Sequence, residues 1–400
     1  MNILIISQGY WPEIFPINII AKNIVKSGIN VNVLTGYPNY PKGKIYYGFD
    51  NKVTSVKKKN NIIINRVPII PRGINSKFGI ILNYFSFLFS SIIFAPFLLK
   101  NKKIDIILVY ATSPIIQAYV GLYLKLFNKN IKLITWVQDL WPNILKETKI
   151  IKNNFLISII SIIVRDIYNR SDLILAQSKS FLKEIKKVTS TKVQLLYNPG
   201  FDESRLKIKK KKKLIKILYA GNIGNAQPWE KLLSYLNKSN FNNKLNLTIC
   251  GEGQKKKFVK YFIKHHKLKN IYLKNFLKDS NLKKEYQKAD FLLIMLNQGK
   301  YLNKTIPSKF QTYLAKGKPL LGITTGEFGQ LIKNNKLGLV IKLNSLSSFK
   351  TIFKKMIKIK DQKLNLYSKN TKKLYEKNFS QKIINQELIK IFKECIKKKS

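Results

Sequence analysis

The run Thr305–Pro319 (Thr-Ile-Pro-Ser-Lys-Phe-Gln-Thr-Tyr-Leu-Ala-Lys-Gly-Lys-Pro) puts a lysine where an anion can be held. Pro307 suits the first turn of a helix, because its missing N–H would be unbonded there anyway. Thr305 and Ser308 are candidate caps. Phe310, Tyr313 and Leu314 fall on one helical face, and Gly317 stops the helix. The apolar run Phe291–Leu296 precedes this helix as a strand, with Asn297–Lys304 as the loop between them. Lys309 therefore stands in the first turn of a helix that follows a strand. Free N–H groups, the helix dipole and an ammonium converge there, which suits a phosphate. An ordinary strand–loop–helix unit with a surface lysine has the same pattern.

Two glycine turns lie in the same half of the chain. Gly221-Asn222-Ile223-Gly224 follows a strand at Ile215–Tyr219 and precedes a helix opened by Pro228 or Trp229. Its glycines let a diphosphate approach the backbone. Gly251-Glu252-Gly253 ends the next strand, Leu245–Cys250, where a simple tight turn would read alike. Taken with Lys309, these turns point to a nucleotide-diphosphate pocket. In the first half, Asp139 in Gln138-Asp139-Leu140-Trp141-Pro142 is a candidate base or transition-state stabiliser. An Asp in such a loop also caps helices, and Glu13 carries the same ambiguity. His265-His266 sits in a lysine-rich helix and is expected to face solvent. The chain has no Asp-x-Asp, no His-x-x-x-His and only Cys250 and Cys395, so no catalytic metal and no disulfide framework are expected.

The elements that position these residues read as α/β. Strands are expected at Asn2–Ser7, Val31–Leu34, Ile62–Val67, Ile104–Tyr110, Lys132–Trp136, Leu173–Ala176 and Val193–Tyr197, with helices at about Asn18–Ser27 and Phe155–Tyr168 and from Ser178. After the first strand comes Gln8-Gly9-Tyr10-Trp11-Pro12, which lacks the Gly-x-Gly-x-x-Gly of a nicotinamide site. Thr35–Tyr47 is an aromatic loop suited to stacking on a sugar or base, and equally to a packed turn region. Asn198–Lys213 reads as an interdomain linker ending in a five-lysine run. The strand pattern then restarts, through Ile271–Leu273, Leu320–Ile323 and Gly338–Ile341. Helices fill Asn281–Lys288, Ser347–Lys358, Leu364–Lys377 and Gln381–Lys398. Two successive α/β sandwiches with helical tails result.

Phe78–Leu99 carries no charge and is long enough to cross a bilayer. The strands on either side of it read as parts of one sheet, and lysines flank both ends (Lys77; Lys100, Lys102 and Lys103). A core helix, or one with a face in the membrane interface, is therefore expected. The whole chain holds 74 Lys+Arg against 20 Asp+Glu, a net charge of +54. Such a balance attracts polyanions, nucleic acid and anionic membrane among them. Lysine, isoleucine and asparagine are abundant together, as in an AT-rich coding bias. No nucleic-acid motif accompanies the charge. The start reads as a strand without a basic n-region, so no secretory leader is expected, and the two cysteines fit a reducing cytoplasm.

Four stretches resemble the family 4 glycosyltransferases, retaining enzymes of the GT-B fold. They are Tyr10-Trp11-Pro12-Glu13 through Asn18, Thr35–Gly43, Gln138–Pro142 and Ile306–Ala315. The resemblance is nearest to capsule and O-antigen transferases of the L-fucosamine type. It implies two Rossmann-like domains facing across a cleft, an acceptor domain over 1–200 and a donor domain over 201–378. A helix over 379–400 would return to the first domain. It implies a nucleotide-sugar donor, with UDP expected, and a lipid-linked saccharide acceptor. The enzyme would be metal-independent, need no cofactor, and sit at the cytoplasmic leaflet of the inner membrane, with no nucleic-acid partner. Asp139 and Lys309 are the expected catalytic residues. The expected donor contacts are Gly221, Asn222, Ile223, Gly224, Gln227, Gly251, Glu252, Gly253, Pro307, Ser308, Lys309, Thr312 and Glu327. The expected acceptor contacts are Glu13, Asn18, Tyr37, Asn39, Tyr40, Gln138 and Trp141. The chain departs from the family's Glu-x7-Glu pattern, with Lys304 and Thr312 at the matching positions, and from the frequent His that is here Gln138. Glu327, in a later loop, is a candidate replacement for one of those glutamates.

Overall fold

The computed structural model describes residues 1–74, 76–147, 151–201, 206, 214–239, 241 and 243–397. The chain divides into two compact units, one of Met1–Pro199 with the last helix and one of Gly200–Ser380. Most of the expected linker, 202–205 and 207–213, lies outside the described residues.

The first unit runs β1 (Asn2–Ile6), α1 (Pro16–Lys26), β2 (Asn30–Gly36), β3 (Ser55–Lys59), β4 (Ile62–Val67), α2 (Lys77–Leu98), β5 (Ile106–Ala111), α3 (Ala118–Phe127), β6 (Lys132–Val137), α4 (Asn143–Glu147), α5 (Asn154–Arg170), β7 (Leu173–Ala176), α6 (Lys179–Ile185) and β8 (Val193–Leu195). Its sheet has the order β3-β4-β2-β1-β5-β6-β7-β8. All neighbours pair in parallel except β3 with β4. The central strands are continuous apolar runs because helices cover both faces of such a sheet. β3 was not expected. Its Ser-Val-Lys-Lys-Lys reads as loop, but an antiparallel edge strand is where lysines are tolerated and block further pairing. α3 was also missed, because Gly121 interrupts the pattern. That glycine lets the helix approach the sheet: a Cβ there would lie 2.7 Å from Leu133 Cδ1.

β4 and β5 flank α2 and belong to one sheet, so α2 is a crossover on one face and does not carry the chain through a bilayer.

The second unit runs β9 (Ile215–Ala220), α7 (Trp229–Asn237), β10 (Leu245–Cys250), α8 (Lys256–His265), β11 (Ile271–Lys274), α9 (Asp279–Lys288), β12 (Phe291–Met295), α10 (Ser308–Lys316), β13 (Leu320–Ile323), α11 (Glu327–Asn334), β14 (Gly338–Ile341), α12 (Leu346–Ile357) and α13 (Asp361–Asn378). Its six strands are all parallel, in the order β11-β10-β9-β12-β13-β14. The core gathers Tyr219, Trp229, Phe291, Phe349 and Phe353, with the Tyr219 and Trp229 rings 4.8 Å apart, edge to face. The final helix, α14 (Gln381–Lys397), packs on α1 in the first unit, burying Ile384, Leu388 and Phe392. Asn23 Nδ2 donates to Gln381 Oε1 at 3.1 Å across that contact.

Candidate functional site

In the second unit, parallel pairing brings the carboxyl ends of β9, β10, β12 and β13 to one edge, where α/β sheets hold ligands. Gly221 has φ +135°, and a Cβ there would lie 2.4 Å from Lys309 Cε and 2.7 Å from Lys309 Nζ. Gly251 has φ +152°, and its Cβ would fall 1.9 Å from Gly221 O. Only glycine fits either place, and their contact seats the lysine. Tyr313, one turn on from Lys309, ties α10 to β9: its hydroxyl accepts from Ala220 N at 2.9 Å and donates to Ala220 O at 3.1 Å. Lys309 Nζ stands 5.0 Å from the Tyr219 ring centroid. No carboxylate pairs with it among the described residues. Burial pushes its ammonium down to about 8. A cation so placed, beside a helix N-terminus, is stabilised by an incoming anion.

Two expectations need correction here. The Gly221–Gly224 amides were expected to grip a diphosphate, but three of them already have partners. Gly221 N donates to Cys250 O at 2.9 Å, Ile223 N to Glu252 O at 2.7 Å, and Gly224 N to Gln227 Oε1 at 2.9 Å. Asn222 N is the amide of this turn without a partner among the described residues. The turn therefore gives Lys309 room rather than supplying a row of donors, and Gln227 braces it. The second correction concerns the caps. Pro307 is the N-cap of α10, and neither Thr305 nor Ser308 caps it, because the extended Pro307 starts the helix one residue later. The first-turn amides of α10 are thus left without a side-chain acceptor among the described residues. Thr312 Oγ1 donates back to Ser308 O at 3.0 Å.

The remaining donor-side residues are divided. Glu252 is exposed; its carboxylate pairs with Lys256 at 2.6 Å, which holds it below the usual range. Gly253 has φ +147° and lies against Ile223 O. Glu327 is buried in the first turn of α11, after β13, on the same edge as Lys309. Lys304 Nζ lies 4.6 Å from the Tyr301 ring centroid. The loops after β9 and β12 are joined by Asn297, whose N donates to Ala226 O at 2.7 Å and whose Nδ2 donates to Asn225 O at 2.6 Å. Tyr219 and Asn297 were not singled out in the sequence, and Tyr313 was read only as part of the apolar face of α10, because nothing there distinguishes them from core aromatics and loop amides.

In the first unit, the carboxyl edge carries Gln8, Ser113, Asp139 and Gln177. Asp139 Oδ2 accepts from Ser113 N at 3.0 Å and from Ser113 Oγ at 2.9 Å, so it is no helix cap. Trp141 Nε1 donates to the same Ser113 Oγ at 3.0 Å. Burial raises the Asp139 carboxyl, opposed by the Ser113 bonds. Gln138 is buried; its Oε1 accepts from Asn198 Nδ2 at 2.6 Å, while its Nε2 has no partner among the described residues.

Four of the expected acceptor residues instead brace a loop. Glu13 is buried, and its Oε1 accepts from Asn39 N at 2.7 Å and Tyr40 N at 2.6 Å. Burial raises its carboxyl; those amides and the Arg66 charge oppose this. Asn18 Nδ2 donates to Glu13 O at 2.6 Å, Tyr37 Oη to Val53 O at 2.7 Å, and Asn39 Nδ2 to Tyr37 O at 3.2 Å. Arg66, unremarked in the sequence, is buried beneath them and donates to Gly36 O at 2.9 Å and to Trp11 O. Tyr40 keeps its ring at the surface, 5.7 Å from Phe15.

Residues 200–374 match the family model for glycosyl transferases group 1, and residues 19–203 match that for Glycosyltransferase Family 4. Among solved structures, the chain is similar to sucrose-phosphate synthase from Thermosynechococcus elongatus, with TM-score 0.74, 11% identity and 98% of each chain covered. It is similar to Anabaena Alr3699/HepE in complex with UDP and glucose, with TM-score 0.69 and 13% identity over 98% of this chain and 100% of that one. It also resembles the E. coli trehalose-6-phosphate structure bound with UDP-2-fluoro glucose, with TM-score 0.71 and 11% identity over 98% and 99% of the two chains. At these identities the likeness shows the fold. No curated protein matches the sequence.

Proposed function

The chain is a glycosyltransferase of the GT-B fold that uses a nucleotide sugar, and from that premise we propose that Lys309 holds the donor's diphosphate at the carboxyl edge of the second sheet. The observation that carries this is the Lys309 ammonium, seated on Gly221 in the first turn of α10 with no carboxylate partner among the described residues. As the bond from the sugar to the diphosphate breaks, negative charge grows on the leaving oxygens. An ammonium and first-turn amides already in place stabilise that charge without rearranging. A contact that strengthens along this path lowers the barrier more than it tightens binding.

UDP is the proposed carrier, supported by the UDP-bound structures that share this fold. The four stretches that resemble L-fucosamine transferases support a finer reading: an amino or deoxy sugar such as N-acetyl-L-fucosamine, passed with retention to a lipid-linked saccharide of a capsule or O-antigen. In this reading the first unit takes the acceptor. Asp139, held by Ser113 and made less acidic by burial, meets either the acceptor hydroxyl or the charge developing on the sugar. The work is placed at the cytoplasmic leaflet of the membrane that carries the lipid. The net charge of +54 does not favour a nucleic-acid binder, since the two transferase models between them account for 19–374.

A thermal-shift screen of UDP- and GDP-sugars tests the donor reading. A ligand at about 100 times its dissociation constant stabilises the fold by about 2.7 kcal/mol, well within detection. A UDP-sugar should raise the melting temperature of the wild type and shift Lys309→Ala less. No shift with any nucleotide sugar would reject the reading.

A further inference from the structure

We propose that the outward faces of α2 and α5 form one surface that lies in the plane of an anionic phospholipid bilayer, resting on the reading of a lipid-carried acceptor given above. α2 is built with its polarity reversed. Its polar side chains Asn83 and Ser91 are buried, and Gln8 Nε2 donates to Asn83 Oδ1 at 2.7 Å. The stripe facing away is Phe78, Ile81, Phe85, Phe89, Ile93 and Phe97, all exposed. The spacing is almost wholly four residues, one side of a helix about 33 Å long. Phe78 and Phe97, near its ends, are 68% and 74% exposed. A water-facing stripe holds charged and polar residues; this one holds none.

α5 extends the surface. Right-handed crossovers from β4 to β5, β5 to β6 and β6 to β7 all move the same way across the sheet, so α2, α3 and α5 share a face. α3 touches both of the others, and α5 exposes Phe155, Leu156, Ile159 and Ile162. Aromatic rings on an in-plane helix suit the boundary between headgroups and acyl chains. Exposed Lys100 and Lys103 follow α2, and exposed Lys152 precedes α5, placing cations at the rim for anionic headgroups. A second copy of the chain fits less well, because it would bring a like charge of +54 against this one. The stripe also starts beside the edge proposed to take the acceptor. Tyr84, inside its first turns, has its ring 6.3 Å from that of Trp141, next to Asp139. A saccharide hanging from a lipid in that bilayer would meet the carboxyl edge of the first sheet.

The test is co-flotation of the full chain with vesicles of phosphatidylcholine, with and without phosphatidylglycerol. The wild type should float with the mixed vesicles and less with phosphatidylcholine alone. The variant carrying Phe85→Glu and Phe89→Glu should lose binding by roughly tenfold or more, since two exposed rings leave the lipid. Both positions are exposed, so melting should be unchanged. UDP binding measured on the same samples should also be unchanged, which separates failure of this proposal from failure of the donor reading. A wild type that stays unbound to both vesicles, or a variant that floats as well as the wild type, would overturn the proposal. So would a dimer without vesicle binding that the two substitutions disperse, which would assign the face to a second copy.

Discussion

The two sheet edges use their polar residues in opposite ways. In the second unit, Lys309 lies over Gly221 with its charge unpaired among the described residues, and the surrounding bonds hold the lysine rather than neutralise it. In the first unit, Glu13 is as conspicuous in sequence but gives its carboxylate to the Asn39 and Tyr40 amides. Both residues are charged, half-buried or buried, and stand beyond a strand of a parallel sheet, Glu13 in the loop after β1 and Lys309 in the first turn of α10. What separates them is whether the backbone nearby already supplies the partner. A charged residue at such an edge is a candidate ligand contact only when the fold leaves its charge unanswered.

The largest expected effect is that of Lys309→Ala. By comparison with lost oxyanion donors it should cost about 3–4 kcal/mol of transition-state stabilisation, roughly a hundred- to a thousandfold in turnover. Lys309→Arg should restore only part, because a planar fork is not a point charge. Turnover and donor affinity, with melting as the control, measure this. Near-normal turnover in Lys309→Ala would erase the contrast from one side.

Glu13→Ala attacks the other side. One buried and one partly buried amide lose their acceptor, so about 1–3 kcal/mol of stability should go, read by denaturant or thermal melting. Donor affinity should hold. Intact melting with collapsed turnover would instead make Glu13 a catalytic group. The smallest effect is expected for Lys304→Ala. Its ammonium lies over Tyr301, so turnover and stability should stay within about 0.5 kcal/mol of wild type. A loss near that of Lys309→Ala would show two lysines on the diphosphate.

The fold was largely legible in the sequence because buried parallel strands are continuous apolar runs, as in Asn2–Ile6 and Phe291–Met295. Lys309 was legible for a local reason: Pro307, Gly317 and the apolar spacing fix its place in the helix. The loop brace was not. Glu13 and Asn39 are 26 residues apart, and their bond joins a carboxylate to backbone, leaving no side-chain pattern to read. Gln227 was singled out as a donor contact, yet nothing in the sequence says its amide oxygen holds Gly224 N. In α2 apolar residues run all round the helix and its few polar ones do not mark the water side, so only packing tells which side faces out.

The central claim is that the Lys309 ammonium holds the donor diphosphate, and its titration gives the most direct test. Burial lowers this lysine to about 8 in the free protein. The protonated form binds the anion, and binding raises the lysine's pKa in return. UDP titrated calorimetrically across this range should therefore bind the wild type with steady affinity below about 8 and progressively more weakly above it. Lys309→Ala should bind more weakly throughout and show no such decline. Equal affinity and the same pH profile in both proteins would contradict the account.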